Sequence, residues 1–345
     1  MHNLREFTLA ELSAAVKGLG FPEYRARQAY DWLYKSRVES VNDMKNLPAE
    51  LKDKIAADYD CKLPELKAEA VSDIDNTVKY LFGFEDGASV ESVLMYEDDR
   101  VTLCASTQAG CACGCRFCAT GSLGYKRNLT VSEIIGQFIA AEKLSSVKIT
   151  NIVFMGMGEP LLNWENLKKA VLILSDNKGI NFSQTRITVS TVGITPVIRE
   201  IAEAKYKFNL AVSLISADNE IRSDLMPFNR KYPLKDIVNA VKYYNMETGR
   251  EVMFEYILFE GINDSEEDAE KLIRLLRQVN YKVNLIPYNS VENSGFTRPS
   301  REKILRFQKI IMSEGKKVFI RREKGADIAA ACGQLAGKFV KKGRT

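Results

Sequence analysis

Apolar positions in the first sixty residues recur at helical spacing. FTLAELSAAVKGLG (7–20) places them every three to four residues and ends at glycine, EYRARQAYDWLYKSR (23–37) continues the pattern, and PAELKDKIAADY (48–59) opens on a proline suited to a first turn. A small helical domain is predicted over 1–60. The spacing then shortens to strand alternation. TVKYLFGF (77–84) and SVESVLMY (89–96) flank EDGA, a glycine-containing hairpin signal, so 61–100 reads as a β extension. From residue 101 strands and helices alternate. The predicted strands are VTLCAS, NIVFMGM, RITVSTV, FNLAVSLIS, VMFEYILFE and YKVNLIPYN, with helical segments such as VSEIIGQFIAAEKL and DIVNAVKYYNME between them. Six such units over 101–290 predict an α/β fold, a parallel sheet with helices outside, open or curled into a partial barrel. Ligands gather at the carboxyl ends of such strands, and the unusual loops of this chain all fall there.

Composition narrows the chemistry. No apolar run is long enough to span a bilayer, and MHNLREFTLAELS lacks the apolar segment of a secretory leader, so a cytoplasmic protein without membrane association is expected. A reducing cytosol disfavours structural disulfides, and seven cysteines cannot all pair. Metal binding or redox chemistry is the better reading. His2 is the only histidine, so no mechanism resting on a histidine base or ligand is expected. The net charge of +4 is uneven: 296–345 holds fourteen Lys and Arg against four Asp and Glu. That basic segment of the 291–345 extension is either a solvated face or a phosphate-binding surface.

Five of the cysteines fall within CASTQAGCACGCRFCATG (104–121). Cys111, Cys115 and Cys118 are spaced CxxxCxxC in a glycine-containing loop after the first barrel strand. A structural zinc site wants four protein ligands, with Cys104 or Cys113 as the available fourth. A [4Fe-4S] cluster held by three cysteines leaves one iron open for an exogenous ligand.

The spacing, with Phe117 before the last cysteine, resembles the radical S-adenosylmethionine (SAM) superfamily. FMGMGEPLLN (154–163), ITVSTVGITP (187–196), LMPFNRKYP (225–233), LIPYN (285–289) and GADIAAACGQLAG (325–337) narrow the resemblance to the RlmN family, adenine-C2 methyltransferases of 23S rRNA and tRNA. The resemblance implies a partial (β/α)6 barrel carrying one [4Fe-4S] cluster on Cys111, Cys115 and Cys118. It implies two SAM molecules per turnover, bound by Gly158, Glu159, Ser190, Ser213, Leu214, Ile215 and Asn289. Glu159 is suited to meet the ammonium of the methionine moiety. SLIS (213–216) departs from the more usual SLHA, so a polar side-chain contact at Ile215 is missing.

By the same resemblance Cys332 takes a methyl group as an S-methylcysteine. A SAM-derived radical then abstracts hydrogen from that methyl group, and the resulting methylene adds to C2 of adenine. Polar methyl transfer to C2, an electron-poor amidine carbon, has no lone pair to use. Cys104 would release the adduct through a transient disulfide with Cys332, and Glu91 would accept the C2 proton. Cys113 is left without a role. Lys126, Arg127, Arg230, Lys231, Arg298, Arg321 and Arg322 are candidates for RNA contact, with the helical head as a second contact. A monomer is expected, reduced by a donor such as flavodoxin or ferredoxin. Two rivals remain: the related methyltransferases that modify C8 of the same ribosomal adenosine and confer antibiotic resistance, and a zinc-stabilised RNA-binding protein without catalysis.

Overall fold

The helical head forms where the spacing predicts it: α1 (Leu9–Gly18), α2 (Tyr24–Asp31) and α3 (Ala49–Asp58). Thr8 and Glu11 close a reciprocal capping box on α1, satisfying amides that the first turn leaves without partners. Wholly buried Arg5 donates to the carbonyls of Cys61 and Val38, tying the first turn of the chain to the segment entering the sheet. This computed structural model describes residues 2–291 and 294–337. Lys338, Lys341, Lys342 and Arg344 of the basic extension lie outside the described residues.

Ten strands build one sheet whose spatial order follows chain order. They are β1 (Glu65–Val71), β2 (Val78–Gly83), β3 (Ser89–Glu97), β4 (Arg100–Cys104), β5 (Asn151–Phe154), β6 (Ile187–Thr191), β7 (Asn209–Ser213), β8 (Val252–Leu258), β9 (Tyr281–Pro287) and β10 (Val318–Ile320). β1 to β4 pair antiparallel and β4 to β10 pair parallel. The β extension is therefore continuous with the barrel sheet through β3 and β4. The parallel part has seven strands, one more than the pattern predicts. β10 is three residues long, too short for a period to register. β1 also escapes the reading although ELKAEA alternates polar with apolar residues, because its apolar side of one leucine and two alanines is only half-buried and holds no β-branched or aromatic residue.

Helices α4 (Val131–Ser145), α5 (Trp164–Ser175), α6 (Thr195–Glu203), α7 (Asn219–Leu225), α8 (Leu234–Thr248), α9 (Glu266–Leu276) and α10 (Arg301–Ser313) occupy the crossovers. A parallel pair requires such crossovers, and they cover the outer face. The end strands β1 and β10 do not pair, so the barrel stays open. The segment 325–337 lies over β1 to β3. Asp327 accepts from the Ser72 hydroxyl at 2.6 Å, the Gly325 amide donates to Asp75 at 3.1 Å, and the Ser89 hydroxyl donates to the Gly337 carbonyl at 3.1 Å. Among the described residues no helix is long and apolar enough to cross a membrane.

Candidate active site

The cysteine loop begins on a short antiparallel pair, Gln108–Gly110 with Tyr125–Asn128. Gly110 has φ +80°, and a Cβ there would lie 2.0 Å from the Gly124 carbonyl oxygen, so no other residue fits this crossing. Phe117 anchors the far end of the loop in a buried cluster with Ile215, Leu225, Met226, Phe259 and Tyr288. All seven cysteines are free thiols, so the expected Cys104–Cys332 disulfide is not formed in this structure. Cys113 is buried beside Cys111, and a thiol hydrogen bond between them holds Cys111 below the ordinary thiol value and pushes Cys113 above it.

Behind the loop sits Arg222, wholly buried, donating to the carbonyls of Leu214 at 2.7 Å, Val192 at 2.6 Å and Ser213 at 3.0 Å, and to the Asn229 side chain. Burial pulls its guanidinium down to about 10, and neighbouring Cys115 and Cys113 pull it back up. One cation thus pins the loops that follow β6 and β7 and backs the thiols electrostatically. Arg222→Met is expected to cost about 3 kcal/mol or more, because several buried carbonyls lose their donor at once. Thermal or urea melting measures it.

Among the described residues, no three His, Cys, Asp or Glu side chains are disposed to hold a single metal ion. A four-iron cluster asks for something else, thiolates placed around a cube with each on its own iron. Cys111, Cys115 and Cys118 on one loop, with a buried cation behind them, fit that requirement.

The loop after β5 crosses the same rim. Gly158 has φ +100°, and a Cβ would meet the Gln108 Cβ at 2.5 Å. The Glu159 carboxylate is tied into the rim: one oxygen accepts from Thr191 at 2.7 Å and the Leu161 amide at 3.0 Å, the other from the Val192 amide at 2.8 Å. Burial pushes it up to about 7 against those hydrogen bonds. Glu159 thus staples two rim loops together.

Inside the open barrel lies a cavity of about 1090 Å³ lined by Cys104, Cys118, Glu255, Asn289, Arg321 and Cys332 among others. Asn289 donates to the Cys332 carbonyl at 3.1 Å. Burial pushes the Cys332 thiol up while the Arg321 guanidinium pulls it down, and burial takes Cys104 up to about 12. Ser213 and Ser190 lie 3.4 Å apart, and Ser190 reaches Glu255 at 3.3 Å. The amides of Leu214 and Ile215 both donate to the Glu255 carbonyl. Ile215 has φ +67°, an uncommon conformation for a β-branched residue, and its side chain packs toward Phe117 rather than a ligand.

Glu91 is fully buried on β3, ion-paired with Lys79 at 3.0 Å. Its other oxygen accepts from the amides of Ala336 at 2.7 Å and Gly337 at 3.1 Å. Lys79 also donates to the Ala329 carbonyl at 3.1 Å. The pair therefore clasps the segment that carries Cys332.

The basic candidates separate. Lys126, Arg230, Lys231 and Arg322 are exposed. Arg127 is held by Asp86 and Glu133, Arg298 pairs with Glu323 at 2.7 Å, and Arg321 lies in the cavity, so these three are not free surface cations. Arg222, Lys79 and Glu255 escape the sequence reading. Glu255 and Lys79 each leave a signal, as a lone charge inside the apolar strands VMFEYIL and VKYLFG, and Arg222 leaves none.

A cluster-sized cysteine loop at the rim of an open parallel barrel defines a radical SAM protein, and the Radical SAM superfamily matches residues 105–276. The N-terminal domain of ribosomal RNA large subunit methyltransferases matches residues 2–59. The chain is 45% identical to a probable dual-specificity RNA methyltransferase RlmN of Thermotoga maritima over 99% of both chains. It is 42% identical to the dual-specificity RNA methyltransferase RlmN of Geotalea uraniireducens over 98% of both. The crystal structure of a radical SAM methyltransferase from Sphaerobacter thermophilus superposes with a TM-score of 0.94 at 43% identity, covering 98% of this chain and 100% of that one. The chain belongs to the RlmN family of SAM-dependent radical RNA methyltransferases. That family implies an iron-sulfur cluster and SAM.

Proposed function

We propose that the chain methylates C2 of an adenosine in 23S rRNA, and of an adenosine beside the anticodon of tRNA, through an S-methylcysteine on Cys332. The observation that carries this reading is the cavity itself: Cys104 and Cys332, more than two hundred residues apart, face it together with Cys118. When bound, the cluster on Cys111, Cys115 and Cys118 and two SAM molecules supply a methyl group and a carbon radical able to abstract hydrogen from it.

The remaining steps belong to the chain. Cys332 as thiolate forms its S–CH3 bond as the sulfonium–methyl bond of a bound SAM would break, with the neutral thioether as leaving group, and Asn289 holds the Cys332 carbonyl so that the methyl group stays in the cavity. After the methylene is joined to C2, Cys104 attacks the Cys332 sulfur. The S–S bond forms as the S–C bond to the RNA breaks, the released carbon takes a proton, and the unpaired electron left by the radical addition would return to the bound iron-sulfur cluster. Glu91 accepts the C2 proton once it is freed from the amides of Ala336 and Gly337. The segment carrying Cys332 thus lifts between methyl loading and proton transfer. The rim backbone at Gly158 and the polar groups of Ser190 and Ser213 bind SAM, with Leu214 and Ile215 contributing backbone only. Lys126, Arg230, Lys231 and Arg322 meet phosphates, and Tyr24 with Arg25 stacked on it offers the head's contact. Reduction by a flavodoxin- or ferredoxin-like donor and action as a monomer complete the reading.

Lys79→Met is expected to loosen this clasp. The buried Glu91 charge loses its partner, at a cost of about 3–5 kcal/mol. Limited proteolysis should then cut 325–337 faster, and methylation should slow.

The test of function is mass spectrometry of rRNA and tRNA digested after anaerobic, reducing turnover. 2-Methyladenosine is expected. 8-Methyladenosine would assign the chain to the resistance branch, and a colourless protein with zinc and no iron would overturn the radical reading.

A further inference from the structure

Methylation at C2 requires that adenine be told from guanine inside the cavity. Beside C2, adenine presents N1 as an acceptor and then its 6-amino group as a donor. Guanine inverts both, with a donor at N1 and an acceptor at O6.

The cavity holds a matching pair. Glu255 is the charged residue of the otherwise apolar β8, and its side chain is only 9% accessible. One of its oxygens accepts from Ser190, while the other is buried without a hydrogen bond among the described residues. Such an orphan is costly unless a ligand supplies the donor. This oxygen forms a long ion pair with Arg321 at 3.7 Å, too far for a hydrogen bond. Arg321 is anchored by its backbone, whose amide donates to the Leu285 carbonyl at 2.8 Å. Among the described residues its guanidinium hydrogen-bonds to the weak acceptor sulfur of Met155 alone, at 3.7 Å; it lies within electrostatic reach of Cys332 and Cys104 and keeps 24% of its side-chain surface accessible within the cavity. An acceptor and a donor, each short of a partner, thus stand side by side on the wall that also carries Cys332.

We propose that Arg321 and Glu255 read the target base: Arg321 donates to N1 and Glu255 accepts from the 6-amino group while C2 faces Cys332. The proposal rests on the methyltransferase reading. A hydrogen bond to N1 also draws electron density from the adjacent C2, the carbon that the methylene must join. Guanine at this position would set donor against donor and acceptor against acceptor, each leaving a buried group unpaired.

The experiment uses RNA hairpins whose target nucleotide is adenosine, purine riboside, which lacks only the 6-amino group, or 1-deazaadenosine, which lacks only the N1 acceptor. Wild-type protein, Glu255→Leu and Arg321→Met, which remove the acceptor and the donor outright, are compared under anaerobic turnover. Wild-type kcat/KM is expected to fall roughly tenfold to a hundredfold on removing either base atom. Glu255→Leu should lose a similar factor on adenosine RNA but little more on purine riboside RNA, and Arg321→Met should behave likewise toward 1-deazaadenosine. Losses that instead add in full would overturn the pairing. So would a Glu255→Leu variant whose SAM affinity, measured by equilibrium dialysis, falls while its discrimination among the RNAs is unchanged; Glu255 would then hold the cofactor's ribose. Hairpin Kd values from fluorescence anisotropy should show the same non-additivity without turnover. A protein that makes no methyladenosine therefore fails the functional reading and still reports on this one.

Discussion

A Cys332→Ala variant is expected to keep its iron and its SAM affinity and to yield no methylated RNA, a loss on the order of a thousandfold or more, as befits removal of a covalent nucleophile. The fold should tolerate the change. Cys332 sits at the cavity wall, and its segment is held by groups on either side: Lys79 on Ala329, Asn289 on the Cys332 carbonyl, Ala119 on Gly333, and Glu91 on Ala336 and Gly337. None of these contacts uses the sulfur. Cys332→Ser should be nearly as inactive, since a serine hydroxyl at neutral pH is far less nucleophilic than a thiolate, even one that burial raises and Arg321 only partly restores. Product mass spectrometry beside iron and sulfide assay reads both halves of the expectation. Methylated product from the alanine variant would end the S-methylcysteine route.

Cys115→Ala is the second large effect, and it acts one step earlier. Iron content should collapse, the brown colour should be lost, and SAM should no longer be cleaved. The melting temperature should change little beyond what cluster loss itself removes, because Phe117 in its buried cluster and the Arg116 amide on the Leu225 carbonyl, rather than the cysteines, anchor this loop to the protein. Cys113→Ala is the control. Cys113 bonds to Cys111 but stands outside the predicted ligand set, so this variant should keep its iron. Loss of the cluster there, with retention in Cys115→Ala, would reassign the ligands.

The clasp on Glu91 shows how far the sequence can be read. VESVLMY identifies a strand and puts Glu91 among apolar neighbours, which already singles it out. That its carboxylate is taken by Lys79 and by two amides nearly 250 residues onward depends on the 325–337 segment folding back over β1 to β3. No local pattern encodes that path. Glu159 is similar: GMGEP marks a rim loop, but whether the carboxylate faces a ligand or staples Thr191 and Val192 is decided by the distance between two strand ends.

The sequence by itself determined the helical head, six of the seven parallel strands, the cysteine loop and the family, because periodicity and short motifs are local and survive without coordinates. Tertiary structure alone decided that the sheet is continuous from β1 to β10, that Arg127 and Arg298 are spent on carboxylates, and that Arg222 underpins the rim. It also decided that Glu255 and Arg321 share a wall with Cys332. The physical reason is common to all of these. Burial and pairing determine which charged groups remain available for chemistry, and both arise only when distant segments meet.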